Sequence, residues 1–557
     1  MAASSNKRSI FIGYFFSAIM LLLVLRLFQI QIMQGEEYAN QALPQQTIAI
    51  STEKIQGNIL DRNGIPFTKV GEILELFIFP KIIGFDETAY EIIYKLTGKL
   101  KSDFDDKEQS YFKEPVTSFD AELISSIEDN IYQGIILHKT NIRYDDTSLA
   151  RHIIGYLRKS DGVPMSGIEK VYEQFLHPGS ARLVQAITDA EDRIIPSLGY
   201  TIVEPDETGY DVQLALDYDI QRILENALDK YPERYHGGLV VDVLSGDILA
   251  LASRPQYNQA DPYNTGNNKG EVSFLSIPFQ QFPLGSVFKL IIAAAALESG
   301  KYEEDTMFDC TGGIQVGSNF FPCHVATDGL GEITMREAFA YSCNDTFIKI
   351  AMEIGGDVIL ETARRFGLGK SVDIELDNAL GTLMSKKNYT GPGIANLAIG
   401  QGETMVTPLQ IADILTTILN QGQRKQLHLV KGLITSEGEM KENSKVDNLG
   451  TIISEKTAKA LSLWMGDVTE YGTATQARDP LIGGTAGKTG TPQVFGDPHS
   501  NEYGWFAGFF PQENSRYVIV IMSREEGGAS EVAVPVFHDV ARGIWTYENE
   551  LVNVSGD

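Results

Sequence analysis

A chain of 557 residues is too long for one ordinary hydrophobic core, so two or more domains are expected. Apolar residues make up 43% of it, and 46 basic against 74 acidic residues leave a net charge of -28. That surplus argues against nucleic acid as the main partner, because a phosphate backbone is recognised chiefly through cations.

At the N-terminus, Lys7 and Arg8 precede an uncharged run from Ser9 to Leu25, and apolar character resumes after Arg26 through Met33. As a helix, residues 9–33 would extend about 37 Å, enough to cross a bilayer with some tilt. A cleaved signal peptide competes with this reading, but no small-x-small cleavage site follows before "QGEEYANQA". The expectation is an uncleaved, single-pass anchor with Arg26 snorkelling to the far interface. Basic residues before it and Glu36 and Glu37 after it put residues 1–8 in the cytoplasm and the remaining chain outside.

Residues 34–208 mix short strand-like runs with acid-rich connections such as "KSDFDDKEQ" and read as one membrane-proximal domain. Within them, "QGNILDRNGIPFT" sets Asn63-Gly64 between apolar flanks, a hairpin-turn signal. A second domain, residues 209–557, opens with "DVQLALDYDIQRILENALDKY", a strand and then an amphipathic helix. "GGLVVDVLSGDILALASRP" follows as two apolar strands around Ser245-Gly246. Strands and helices in a mixed α/β (α+β) fold with an antiparallel sheet are therefore expected.

"FPLGSVFKLIIAAAAL", Phe282 to Leu297, holds one charge, Lys289, in an otherwise apolar helix. Burying an unpaired ammonium costs several kcal/mol unless it is compensated or loses its proton. With Gly285 ending a loop, Ser286 and Lys289 stand three apart on one helical face. There a desolvated lysine can take the serine proton. The S-x-x-K spacing alone is weak, since it recurs at Ser4 and Lys7, Ser51 and Lys54, and Ser110 and Lys113. Two later pieces strengthen it: Ser342-Cys343-Asn344 in "AYSCNDTF" and Lys488-Thr489-Gly490 in "AGKTGTPQ". They follow at intervals of 56 and 146 residues, so the three pieces meet only in a folded domain.

This ordered triple resembles the motif set of the monofunctional, class B penicillin-binding proteins, the peptidoglycan D,D-transpeptidases of bacterial cell walls. The resemblance spans nearly the whole chain. "QGNILDRNG" is similar to the family's R-G-x-I-x-D-R-N-G element, with Gln56 in place of the first Arg. "GIEKVYEQFLHPG" and "GQGETMVTPLQIA" match two further elements, and Leu284 stands where the family usually has Pro. The resemblance implies a β-rich pedestal over residues 34–208 and a transpeptidase domain over 209–557, its antiparallel sheet flanked by helices.

By the same resemblance, Ser286 attacks the carbonyl between the terminal D-alanines of a stem peptide, and Lys289 is the acylation base. Ser342, bridging toward Lys488, passes the proton to the departing amine, and Asn344 holds the substrate backbone. Thr489 and Thr491 offer hydroxyls to the terminal carboxylate, beside Gly490, and the Ser286 and Thr491 N–H groups form the oxyanion hole. No metal or organic cofactor is implied. The implied partners are stem peptides, β-lactam antibiotics and a polytopic membrane glycosyltransferase. Two alternatives stay open: a serine β-lactamase, and a β-lactam sensor or scaffold. No E-D-x-x-F motif of a bifunctional enzyme lies between the anchor and Ser286. Cys310 and Cys323, 13 residues apart around a glycine-rich turn, are either a disulfide near the active site, and then a candidate redox switch, or two thiols. Cys343 is the less favoured partner, because tying it down would risk misplacing Ser342 and Asn344.

Overall fold

The computed structural model describes residues 3–34, 47–54, 56–106, 111–128, 132, 134–179, 181–187, 200–203, 209–231, 235–263, 274–324, 327–441, 448–492, 503–524 and 529–555. The chain begins with a helix, Ala3–Phe28, that runs on into a π-helical turn, Gln29–Met33. Phe11–Met33 is long and apolar enough to cross a membrane, and almost all of its side chains are exposed. A helix that is apolar all round, with its described side chains exposed, belongs in lipid rather than on a water-facing surface. Glu36 and Glu37, invoked for its orientation, lie outside the described residues.

The chain divides into two compact units, and the division is not the single cut at residue 208 that the sequence suggests. One unit comprises Met1–Gln56, Gly71–Asn141 and His177–Thr208. It contains a sheet in which Gly71–Ile78 lies between Phe112–Pro115 and Ile135–Ile142. Leu76 and Ile78 pack with Ile92, Ile93 and Leu96 of the helix Glu87–Thr97. That helix starts where Asp86 accepts from the Thr88 and Ala89 N–H groups, and ends at left-handed Gly98.

The other unit takes Gly57–Val70 and Ile142–Leu176 together with Gly209–Asp557. The expected pedestal thus gives up two segments, for identifiable reasons. Ile59–Leu60 pairs in parallel with Val212–Gln213, inside the strand Asp211–Leu214. Buried Asp61 accepts from the Asn63 and Ile65 N–H groups at 2.7 Å each, closing the turn at Gly64, and from the Tyr218 N–H at 3.1 Å. Buried Glu169 receives both prongs of the Arg143 guanidinium, at 2.6 and 2.9 Å, while Arg143 also donates to the Gly57 carbonyl. The "LDRNG" and "GIEKVYEQFL" elements therefore anchor chain within this unit.

Its centre is a five-stranded sheet. We number its strands β1 (Tyr235–Asp242), β2 (Ile248–Arg254), β3 (Ala486–Gly490), β4 (Tyr503–Phe510) and β5 (Tyr517–Arg524). The order is β2-β1-β5-β4-β3, antiparallel throughout. "GGLVVD" and "YVIVIM" read as continuous apolar runs, and strands buried at nearly every position need cover on both faces. Helices α1 (Tyr218–Leu228) and α6 (Ala533–Ser555) pack together against β2, β4 and β5. Helices α4 (Pro408–Leu419) and α5 (Glu455–Glu470) pack against β1, β3 and β5, and α2 (Lys289–Glu298) lies against α5. Helix α3 (Asn344–Ile354) lies against α2.

All three tryptophans of the chain, Trp464, Trp505 and Trp545, sit in this second unit, so intrinsic fluorescence reports its unfolding alone. Replacing Glu169 by Gln strands a buried guanidinium, and loss of one partner of such a pair costs about 3–5 kcal/mol. Glu169→Gln is expected to lower the unfolding free energy read from the tryptophan signal by that amount, and the denaturant midpoint with it. An unchanged midpoint would detach residues 142–176 from this unit.

Candidate active site

The predicted catalytic residues converge on one end of the sheet. Ser286 lies in a short 3-10 turn, Gly285–Phe288, that leads directly into α2. Gly285 has φ +61, and a Cβ there would come within 2.8 Å of the Pro492 nitrogen and 3.2 Å of the Thr491 nitrogen. Only glycine fits that conformation and that approach. The turn is therefore pressed against the end of β3. The Gly285 N–H donates to the Gly400 carbonyl at 2.9 Å, and a Cβ on Gly400 would stand 1.9 Å from the Gly285 oxygen. This contact explains the glycine that opens "GQGETMVTPLQIA". Farther along that segment, Thr407 and Gln410 form the capping box that starts α4.

Ser342 has φ +56, a left-handed conformation that is uncommon outside glycine. It is held by backbone bonds on either side, Ser342 N–H to Phe339 O at 3.1 Å and Cys343 N–H to Ala338 O at 2.8 Å. Cys343 is the N-cap of α3, so Asn344 opens that helix directly beside α2.

Lys289 is fully buried, and its Nζ has four oxygen neighbours. Two are carbonyl oxygens at 2.7 Å, Ser342 O and Asn344 Oδ1; two are hydroxyls at 3.1 Å, Ser286 Oγ and Ser342 Oγ. Carbonyls only accept, so the two short contacts take the two hydrogens of a neutral amine and leave its lone pair for a hydroxyl. No carboxylate pairs with Lys289 among the described residues, and burial lowers its pKa to about 8, against a smaller opposite pull from Cys343 and Cys323. Lys488, also fully buried, contacts Ser342 Oγ at 3.0 Å and Thr489 O at 3.1 Å. Burial holds its pKa well below the ordinary lysine value, and the Lys289 charge adds to the effect. Ser342 Oγ is thus shared by two weakly basic amines, and Ser286 by one.

The remaining predicted residues are placed as follows. Thr489 and Gly490 end β3, and the Thr491 hydroxyl accepts from the Ala529 N–H at 3.3 Å. Asn344 is 4% exposed and engaged at both ends, accepting from Lys289 and donating to the Pro322 carbonyl at 2.7 Å. Its amide oxygen thus meets Lys289 and its amide nitrogen the chain at Pro322. Two contributors had no motif to flag them. The Thr473 hydroxyl meets the Thr489 hydroxyl at 2.8 Å, and Trp505 Nε1–H donates to the Pro283 carbonyl at 2.8 Å, pinning the strand before Ser286. Both depend on pairings across the fold, so no local spacing signals them.

Of the two alternatives left open for Cys310 and Cys323, the structure has thiols: all three cysteines are buried and free, and Cys343, the less favoured partner, lies nearest to Cys310 at 3.1 Å. Cys310 and Cys323 stand 3.9 Å apart, well beyond the roughly 2.05 Å of a bonded pair.

Residues 237–542, more than half of the chain, match the family described as penicillin binding protein transpeptidase domain. Stage V sporulation protein D of Bacillus subtilis is 26% identical over 571 residues, covering 96% of this chain and 85% of that protein. The peptidoglycan D,D-transpeptidase FtsI homolog of Mesostigma viride is 26% identical, covering 92% of each chain. A chain in the structure of a peptidoglycan synthase complex, in which polymerization and crosslinking are coordinated, superposes with a TM-score of 0.74 at 24% identity, over 97% of this chain and 98% of that one. With two depressed lysines around one left-handed serine and a matching family over the same residues, the chain belongs to the penicillin-binding protein transpeptidase family.

Proposed function

We propose that the chain is a membrane-anchored peptidoglycan D,D-transpeptidase that works through an acyl-enzyme on Ser286. The observation that carries this reading is Lys289, a buried amine whose two short contacts are acceptors and whose lone pair is left for Ser286 Oγ.

The proposed steps use these contacts. Lys289 takes the Ser286 proton as Oγ bonds to the carbonyl carbon between the two terminal D-alanines. The negative charge that develops on the carbonyl oxygen falls to the Ser286 and Thr491 N–H groups, a contribution of about 3 kcal/mol per donor in comparable sites. Breaking the peptide bond requires a proton on the departing D-alanine nitrogen. Ser342 gives up its own and is replenished from the lysine side, since its Oγ touches both Lys289 and Lys488. An amino group from a neighbouring stem peptide then attacks the ester, loses its proton to the same pair, and returns Ser286 to its hydroxyl. The Thr489 and Thr491 hydroxyls receive the substrate's terminal carboxylate in this reading. A β-lactam enters by the same first step, but its amine remains tethered, so the ester persists.

The N-terminal helix is read as the anchor, with the catalytic unit outside the cytoplasmic membrane. A polytopic glycosyltransferase is the proposed partner for glycan polymerisation, supported by the likeness to a chain of a peptidoglycan synthase complex.

Ser286→Ala is expected to abolish covalent labelling by a fluorescent penicillin while the tryptophan unfolding transition is kept; persistent labelling would reassign the nucleophile. Lys289→Arg keeps a charge but removes the base, since a guanidinium stays protonated at neutral pH. Its acylation rate should fall by about 10²–10⁴-fold, and near-normal acylation would remove Lys289 from that role. Because only the neutral amine accepts the proton, the wild-type acylation rate should climb with pH and level off above an inflection near 8. Below it, the loss is about tenfold per pH unit. A flat profile between pH 6 and 9 would contradict the assignment; rapid catalytic turnover of penicillin in the same assay would make the enzyme a β-lactamase.

A further inference from the structure

We propose that Cys310, Cys323 and Cys343 form a three-thiolate site for one thiophilic closed-shell cation, zinc in the first instance. Their sulfurs make a closed triangle with edges of 3.1, 3.7 and 3.9 Å. Tetrahedral zinc with Zn–S bonds of about 2.3 Å requires S···S edges of about 3.8 Å. The edges of 3.7 and 3.9 Å match, and the 3.1 Å edge must open by about 0.7 Å. A disulfide would satisfy two of these residues and leave the third as a buried thiol, whereas one cation uses all three.

The surroundings fit a bound thiolate set. The Asp345 N–H donates to Cys323 Sγ and the Thr346 N–H to Cys343 Sγ, each at 3.4 Å. Both donors come from the first turn of α3, so the positive end of an eleven-residue helix faces the sulfurs. Such N–H···S bonds orient ligands and offset thiolate charge in metal sites. The sulfurs come from three places: the strand Met307–Cys310, the chain just past Asn319–Pro322, and the start of α3. A cation there would tie two otherwise separate hairpin strands to the helix that carries Asn344.

The site also has a position in the chemistry. Cys343 stands between Ser342 and Asn344, whose oxygens both hold Lys289, so a metal bond to Cys343 would restrain both without touching a reacting atom.

The test uses the full-length protein in detergent, reduced, equilibrated with zinc chloride and freed of excess metal. One zinc per chain is expected, with three sulfur neighbours at about 2.3 Å in zinc-edge X-ray absorption, and an upward shift of the melting temperature relative to chelated protein. Cadmium in place of zinc should give a thiolate-to-metal charge-transfer band, lost in Cys310→Ser. That variant lies outside the proposed catalytic set and should still be labelled by fluorescent penicillin, which reports its fold. A wild-type chain without zinc, or zinc with fewer than three sulfurs, overturns the site whatever the variant does. So does a cadmium band undiminished in folded Cys310→Ser, or peptide mapping of unreduced protein that recovers a linked cysteine pair in every chain.

Discussion

The catalytic unit is organised around a lysine that is buried away from water and, among the described residues, has no carboxylate partner. Lys289 is buried in an apolar helix, where an ammonium would be costly to keep, and two acceptor oxygens occupy the hydrogens of its neutral form. Each feature that looks irregular nearby serves this arrangement. The left-handed backbone at Ser342 turns a carbonyl toward Nζ while its side chain reaches Lys488. The capped start of α3 brings Asn344 in from the other side. Strain at such a residue persists only where surrounding bonds over-determine it, as the Phe339 and Ala338 carbonyls do here.

A second constraint is the closeness of approach that the glycines allow. Gly285 meets the chain just past β3, Gly400 meets Gly285, and a Cβ on Gly490 would stand 2.5 Å from the Leu284 carbonyl. These three contacts bring the turn that holds Ser286, the strand end and the segment before α4 to one point. The five-stranded sheet supplies the rigid platform: β3 is its edge, and Trp505 on neighbouring β4 bonds back to Pro283. The proposed active site is thus assembled on regular elements, with few of its groups on free loops, as the proton transfers proposed for it require.

The two units carry different burdens. The apolar N-terminal helix fixes where the chain can reside, whereas the catalytic unit recruits short segments from early in the chain to cover its own strands. Gly57–Val70 contributes a strand partner and Ile142–Leu176 a buried ion-pair anchor. Sequence order and spatial order part company there, so a contiguous domain boundary is a poor description of this protein.

Much of the site was legible in the sequence because its chemistry needs particular residue types at fixed local spacings. Ser286 and Lys289 lie one helical turn apart, Ser342 and Asn344 flank a helix start, and Lys488 to Gly490 form a strand end; each is a local constraint that a sequence can display. The two apolar runs around Ser245-Gly246 likewise announced the antiparallel strands β1 and β2. Other features were settled only in three dimensions, because they depend on residues far apart in the chain. These include the engagement of Asn344 with Lys289 and Pro322, the hydroxyl pair of Thr473 and Thr489, the return of residues 57–70 and 142–176 to the catalytic unit, and the placing of Cys343 nearer than Cys323 to Cys310. The sequence by itself determined which groups could react; the tertiary structure decided which of them are deprived of water and which oxygens face them, since desolvation and hydrogen-bond geometry are properties of packing rather than of spacing.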